Sequence, residues 1–284
     1  MLKKRSALFA MAMMALTLLG AFQWPVKPEA LRLNFGSYAS GFYKGIELNL
    51  PDAPVLAPAK GEMLFAHDSP RLPGGYPMPG GSLAALAHSS GIISIYTGMQ
   101  PGSLANYRGV VEQSEILGMS PVQGSGRYLG FYLYDQRERR YINPHILLAA
   151  TPDARVPLIR SVALVSGGQE QILERNSVIR QGSWRFVIDA IDLTALGLPG
   201  APFDVAVALD GSERFRVKYD SARMAAGQSL LFSDNVQSER DYLLADGRIS
   251  FGPITLTKGR SSITVSATDL TGNKREISYT ITVQ

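Results

Sequence analysis

Apolar and polar residues alternate with a period of two through much of this chain. Gly45-Ile46-Glu47-Leu48-Asn49-Leu50 is one such run, and that period puts every second side chain on the same face of a strand. Glu62–Ala66, Gly91–Tyr96 and Tyr128–Tyr134 read as further strands in the first half. In the second half Leu158–Leu164, Trp184–Asp189, Phe203–Asp210, Arg214–Tyr219, Ser262–Ala267 and Ile277–Val283 follow the same rule. The runs are short and are separated by Gly, Pro, Asn and Asp, the residues that make turns. This pattern predicts an all-β, mainly antiparallel chain whose second half is a β-sandwich. Ser221–Ala245 is less regular and predicts a helix or a long excursion.

The 284 residues allow two domains. A basic Lys3-Lys4-Arg5, an apolar Ala7–Leu19 and the small residues Gly20-Ala21 predict a secretory signal over 1–21 and an exported protein, at the periplasm or the cell surface. An uncleaved N-terminal anchor is the alternative, and no other membrane span is expected. Residues 22–32 read as a linker. Thr151-Pro152-Asp153 marks a joint between units 33–150 and 151–284. The formal charge of +4 falls to +1 without Lys3, Lys4 and Arg5, so nothing favours nucleic acid as a partner. Arg137, Arg139 and Arg140 flank Glu138 in what reads as a solvated turn. There is no cysteine, so neither a disulfide nor a lipid-modified cysteine is available and each unit must be held by its core.

A series of short blocks carries a family resemblance. Asn34-Phe35-Gly36, Tyr43-Lys44-Gly45-Ile46-Glu47 and Pro54-Val55-Leu56-Ala57 come first. His88-Ser89-Ser90-Gly91 leads to Tyr96-Thr97-Gly98-Met99. Gly126-Arg127-Tyr128-Leu129-Gly130-Phe131 and Tyr141-Ile142-Asn143-Pro144 complete the order. From about Leu33 to Leu148 these blocks resemble the lysostaphin-like (M23, or LytM) zinc endopeptidases. The resemblance implies a LytM-like β-sheet core. It also marks where metal and catalytic residues would stand. The family pattern His-x-Gly-(Ile or Leu)-Asp meets Tyr43 and Glu47 here. Gly98 stands in place of a catalytic His, and Tyr128 and Gly130 replace both histidines of a His-x-His pair. A phenol is a poor metal ligand near neutral pH, because its pKa lies near 10. In the second half, Ala267-Thr268-Asp269-Leu270-Thr271-Gly272-Asn273 resembles a hairpin of bacterial immunoglobulin-like modules, which implies an immunoglobulin-like sandwich there.

Other residues offer no replacement site by spacing. The three histidines, His67, His88 and His145, show neither His-x-His nor His-x₃-His spacing and read as surface or turn residues. Asp189, Asp192, Asp210 and Asp269 lack the Asp-x-Asp-x-Asp spacing of a calcium loop and read as turn and strand-end residues. No metal and no cofactor is expected.

The resemblance therefore implies an exported pseudoenzyme that binds peptidoglycan or regulates a cell-wall hydrolase. Tyr43, Glu47, Tyr76, Tyr96, Tyr128 and Tyr132 are the candidate cleft residues, with aromatic faces suited to sugar rings and peptide. Asp68–Gly81, dense in Pro and Gly, is the expected groove wall. Two other readings remain at this level. One is an active zinc endopeptidase with an unusual metal site. The other is a structural envelope module that binds through its second domain.

Overall fold

The computed structural model describes residues 22–39, 41–68, 81–105, 108–232 and 236–284. The expected signal segment, Tyr76 and nearly all of the Pro/Gly-rich loop lie outside the described residues. The first half forms β1 (Leu31–Leu33), β2 (Ile46–Leu48), β3 (Pro54–Leu56), β4 (Gly61–His67), β5 (Ser82–Ala87), β6 (Ile92–Met99), β7 (Val110–Val111), β8 (Ile116–Met119), β9 (Leu129–Asp135) and β10 (Arg140–Ile142). Strands β9, β6, β5, β4 and β7 lie side by side in that order. The other edge of β9 is shared, by β2 at Leu129–Phe131 and by β10 at Leu133–Asp135.

One face of this sheet is the core. Ile46 and Leu48 from β2, Leu129, Phe131 and Leu133 from β9, Tyr96 from β6 and Leu86 from β5 are all sealed from solvent. Each such side chain contributes about 1.5–3 kcal/mol by leaving water. Phe22, Val26, Ala30 and Leu31 belong to the same cluster. The expected linker over 22–32 is thus corrected: its apolar residues are packed, and β1 adds to β2.

The second half forms β11 (Leu158–Ser166), β12 (Gln169–Ile172), β13 (Asn176–Ile179), β14 (Gly182–Leu193), β15 (Pro199–Gly200), β16 (Asp204–Leu209), β17 (Ser212–Lys218), β18 (Ser221–Ala225), β19 (Gln228–Phe232), β20 (Val236–Ser238), β21 (Ile249–Leu256), β22 (Gly259–Thr268) and β23 (Lys274–Val283). One sheet runs β12-β11-β14-β15, with β21 also on β14, and the other runs β13-β23-β22-β16-β17. Alternate residues of both sheets, Phe186 and Ile188 with Val205, Val207, Ile263 and Val265 among them, enclose a second core. The pairing is antiparallel except that β13 runs parallel to β23. The Ala267–Asn273 motif makes the β22–β23 turn. There Asp269 accepts hydrogen bonds from the Asn273 and Thr271 side chains and from the Asn273 backbone N–H.

The two halves are stitched together. The irregular stretch Ser221–Ala245 is mostly strand: β18, β19 and β20 continue the first-half sheet beyond β10, followed by a single helical turn, Glu239–Tyr242. Tyr141 and Ile142 pair with Ala222 and Ser221. Asn143 is buried, and its side chain donates to the Tyr219 carbonyl at 2.8 Å. Phe35 and Phe42 leave the first half to join the second core, where Phe42 stacks on Tyr219 at 6.1 Å. No helix among the described residues is long and apolar enough to cross a membrane.

Candidate functional site

The face of the first-half sheet opposite its core carries the residues singled out in the sequence. Directly paired residues on neighbouring strands point to one side. Glu47 on β2 is opposite Gly130 on β9, and Gly130 is opposite Thr97 on β6. The next row places Tyr132 beside Ile95 and Ile95 beside Ala85. Phe65, 51% exposed at the β4 edge, extends that row. Ile93, Ile95, Thr97 and Tyr132 are only half-buried, so the face is open and largely apolar.

Of the positions at which the resemblance calls for a ligand or catalytic group, all but Gly98 are taken up by a contact within this chain. Tyr43 accepts a hydrogen bond from the Tyr132 hydroxyl at 3.0 Å, with ring centroids 5.7 Å apart. Burial pushes the Tyr43 phenol still further above its ordinary 10, and Tyr132 and the Glu47 carboxylate add to that push against a smaller pull from Arg32. A neutral, hydrogen-bonded phenol offers a metal nothing that water does not. Glu47 is ion-paired with Arg32. The same guanidinium lies over the Tyr128 ring, 3.9 Å from its centroid, a cation–π contact. Arg32 therefore puts a fixed positive charge among the ligand positions, where it opposes a dication.

Gly98 and Gly130 have separate backbone and steric reasons. Gly98 has φ +78°. It sits in a bulge, because Ser82 pairs with Met99 while Ala84 pairs with Tyr96. A side chain there would hold a left-handed backbone at a cost of about 1–2 kcal/mol. At Gly130 the space is filled: a Cβ would lie 2.3 Å from Thr97 Oγ1 and 3.2 Å from Tyr132 Cε2.

Tyr96 is not a cleft residue. It is fully buried on the core side, 5.3 Å from Phe131, with its hydroxyl accepting from Ser94 Oγ at 3.4 Å. Ser94 in turn meets His88 Nε2 at 2.8 Å, and His88 Nδ1 lies 2.9 Å from the Lys60 carbonyl. His88 is therefore a buried structural residue rather than a surface one, and burial lowers its pKa. His145 is also more than a turn residue: its Nε2 is sealed from solvent. Tyr43, Glu47, Tyr128 and Tyr132 are brought together; Tyr96 is excluded by the sheet itself. Among the described residues, no group of three or more His, Cys, Asp or Glu side chains is placed to hold a metal ion.

Arg32 and Thr97 are the site residues that sequence reasoning missed. Arg32 lay in the stretch read as a linker, where Leu31-Arg32-Leu33 is itself a short alternation. Thr97 is adjacent to Gly98 but gives no signal in sequence that its hydroxyl fills the space at Gly130. Asp68, at the mouth of the Pro/Gly-rich loop, accepts from Ser82 Oγ at 2.6 Å and from the backbone N–H of Gly102 and Leu104 at 2.8 and 3.0 Å.

A protein-family model matches residues 156–284. No curated protein sequence matches the chain. Among solved structures, lysostaphin is similar over 89% of this chain and 96% of its own, at 14% identity and a TM-score of 0.37. The catalytic domain of the prophage-encoded M23 protein EnpA from Enterococcus faecalis is similar over 44% of this chain and 96% of its own, at 18% identity and a TM-score of 0.34. A chain of the SpoIIQ–SpoIIIAH pore-forming complex is similar over 46% of this chain and 92% of its own, at 18% identity and a TM-score of 0.35.

Proposed function

We propose that this chain is an exported, non-catalytic M23-like protein that uses the open sheet face of its first half to bind peptidoglycan. The observation that carries this reading is the contact set centred on Arg32. One guanidinium neutralises Glu47 and covers Tyr128, while Tyr132 holds Tyr43 and Thr97 occupies the space at Gly130. A hydrolase of this kind needs a Lewis acid to polarise the amide carbonyl and generate hydroxide. These side chains instead satisfy one another and leave a stable, aromatic-lined, nearly neutral surface. The Tyr132 ring opposite half-buried Ile95, with Ile93 on the same face, suits the apolar faces of sugars and the backbone of a short peptide.

The test is co-sedimentation of the purified protein with insoluble peptidoglycan, alongside elemental analysis and a cell-wall release assay. The protein is expected to sediment with the wall and to release nothing. Tyr132→Ala and Ile95→Lys are expected to lower the bound fraction several-fold without loss of the circular dichroism spectrum. About one tightly held zinc per chain with chelator-sensitive release would overturn the non-catalytic reading. Undiminished sedimentation of both variants would move the binding site to the second half. No sedimentation, with capture of a wall hydrolase instead, would make the face a regulatory one.

A further inference from the structure

Peptidoglycan offers a protein two chemistries: strands of β-linked N-acetylated sugars, and the short peptides that branch from them. One cross-strand row of the open face separates the two. It runs Phe65, Ala85, Ile95, Tyr132, on β4, β5, β6 and β9. Three gaps between strands, about 4.8 Å each, make the row about 14 Å long. An aromatic ring stands at each end, and aliphatic side chains form the floor between them. Phe65 is 51% exposed, with the His67 ring stacked beside it at 6.3 Å. Tyr132 is half-buried and is steadied by the rings of Tyr43 and Tyr141, 5.7 and 6.4 Å away. Ala87, opposite Ile93, widens the floor on β5.

Two observations set a peptide aside. An extended peptide is held on a sheet by main-chain hydrogen bonds along an open edge. The floor strands β5 and β6 are paired on both sides, so they offer a ligand side chains and no main-chain groups. Wall peptides also carry free carboxylates. Among the described residues of this row and the rows on either side of it there is no lysine or arginine. Arg32, which reaches in from β1, is committed to Glu47 and Tyr128. Glu62, opposite Ala87 at the β4 edge, adds negative charge. A carboxylate laid on this face would lose water and meet no cation, which is costly. The rings of an N-acetylated glycan bring no charge. Their C–H faces pack on aromatic rings, and their acetamido methyls pack on aliphatic side chains.

We propose that this row binds the glycan strand of the wall, laid across the sheet with one sugar ring against Tyr132, another against Phe65 and acetamido methyls over Ala85 and Ile95. This assignment rests on the wall-binding reading of the same face and names the part of the wall that is held. The peptides that branch from the strand leave on the open side, toward solvent. A short glycan reaches one aromatic end only. A longer one reaches both, and its second contact is made within a complex already formed. Affinity therefore depends on chain length up to the length of the row.

The experiment is calorimetric titration of the purified protein with β-1,4-linked N-acetylglucosamine oligomers of two, four and six units. Affinity is expected to rise at least tenfold from the disaccharide to the tetrasaccharide and to change within about threefold from there to the hexasaccharide. Phe65→Ala should remove most of that rise while leaving the disaccharide within about twofold, because Tyr132 is untouched. No heat from the tetrasaccharide up to millimolar concentration, affinity independent of length, or an unchanged rise in Phe65→Ala would overturn the proposal. The length series uses the unmutated chain, so it decides even where the variant does not fold. Sedimentation with peptidoglycan is then repeated with an excess of the tetrasaccharide or of a free wall tetrapeptide. Displacement by the sugar supports the assignment. Displacement by the peptide alone overturns it and leaves the wall-binding reading standing. Tetrasaccharide binding without any sedimentation keeps the sugar site and removes the wall-binding reading.

Discussion

Gly130→Ala isolates the steric part of the argument for a refilled site. Gly130 is not among the residues with positive φ, so alanine meets no backbone penalty. On backbone grounds alone the change should stabilise by about 0.4–1 kcal/mol, through lost freedom of the unfolded chain. The new methyl, however, would sit 2.3 Å from Thr97 Oγ1, 3.2 Å from Tyr132 Cε2 and 3.4 Å from its hydroxyl. Overpacking of this kind costs about 1–3 kcal/mol. Thr97 is β-branched and stiff at χ1, which limits its escape. The net expectation is a loss of about 1–2 kcal/mol. Thr97→Ala removes the clashing oxygen, so the double variant should recover most of that loss. Urea unfolding of the parent, the two single variants and the double variant gives the coupling energy, expected at about 1–2 kcal/mol. A Gly130→Ala variant as stable as the parent, or a cycle that is additive within about 0.5 kcal/mol, would show that Thr97 does not fill the position.

Two further outcomes follow from the same contacts. Tyr43→His is expected to give neither stoichiometric zinc by elemental analysis nor wall hydrolysis, because Arg32 still holds Glu47 and Thr97 still fills the place at Gly130; a gain of either would contradict that. Cleavage within 151–157 by limited proteolysis is expected to leave the two fragments in one peak on size exclusion, because β18 pairs with β10 and Phe35 and Phe42 lie in the second core; two separate monomeric peaks would show that the seam adds little.

Strands with a simple division of labour between faces were legible in the sequence. Leu129, Phe131 and Leu133 alternate with Gly130 and Tyr132, and the structure buries the first set beneath β9. On β6 the same rule points the wrong way for one residue. Reading polar positions as outward puts Ser94 and Tyr96 on the open face with the other tyrosines. The sheet instead buries Ser94 against His88 and Tyr96 against Phe131, and leaves Ile93, Ile95 and Thr97 half-buried. A small polar network inside the core removed the signal that alternation relies on. Ser221–Ala245 was illegible for another reason. Strands β18 to β20 take their register from β10, and Tyr141 and Ala222 meet across a long stretch of sequence. Periodicity tells which face of a strand is buried, but not which strand lies beside it.

The ligand positions show the same division. The resemblance marked Tyr43, Glu47, Gly98, Tyr128 and Gly130 as departures from a pattern, which is a statement about absence. What stands at these positions depends on contacts between residues far apart in sequence. Arg32 reaches Glu47 because β1 adds to β2. Thr97 reaches the space at Gly130 because β6 and β9 are in register at that row. Neither relation has a signature in sequence, yet together they make a closed, mutually satisfied surface. Without Arg32 and Thr97, Glu47 would be an unpaired carboxylate and Gly130 would face a gap. Here a cation already stands on the carboxylate and a hydroxyl already fills the gap. Metal binding at this face would therefore require the removal of Arg32 and Thr97 as well as the introduction of histidines.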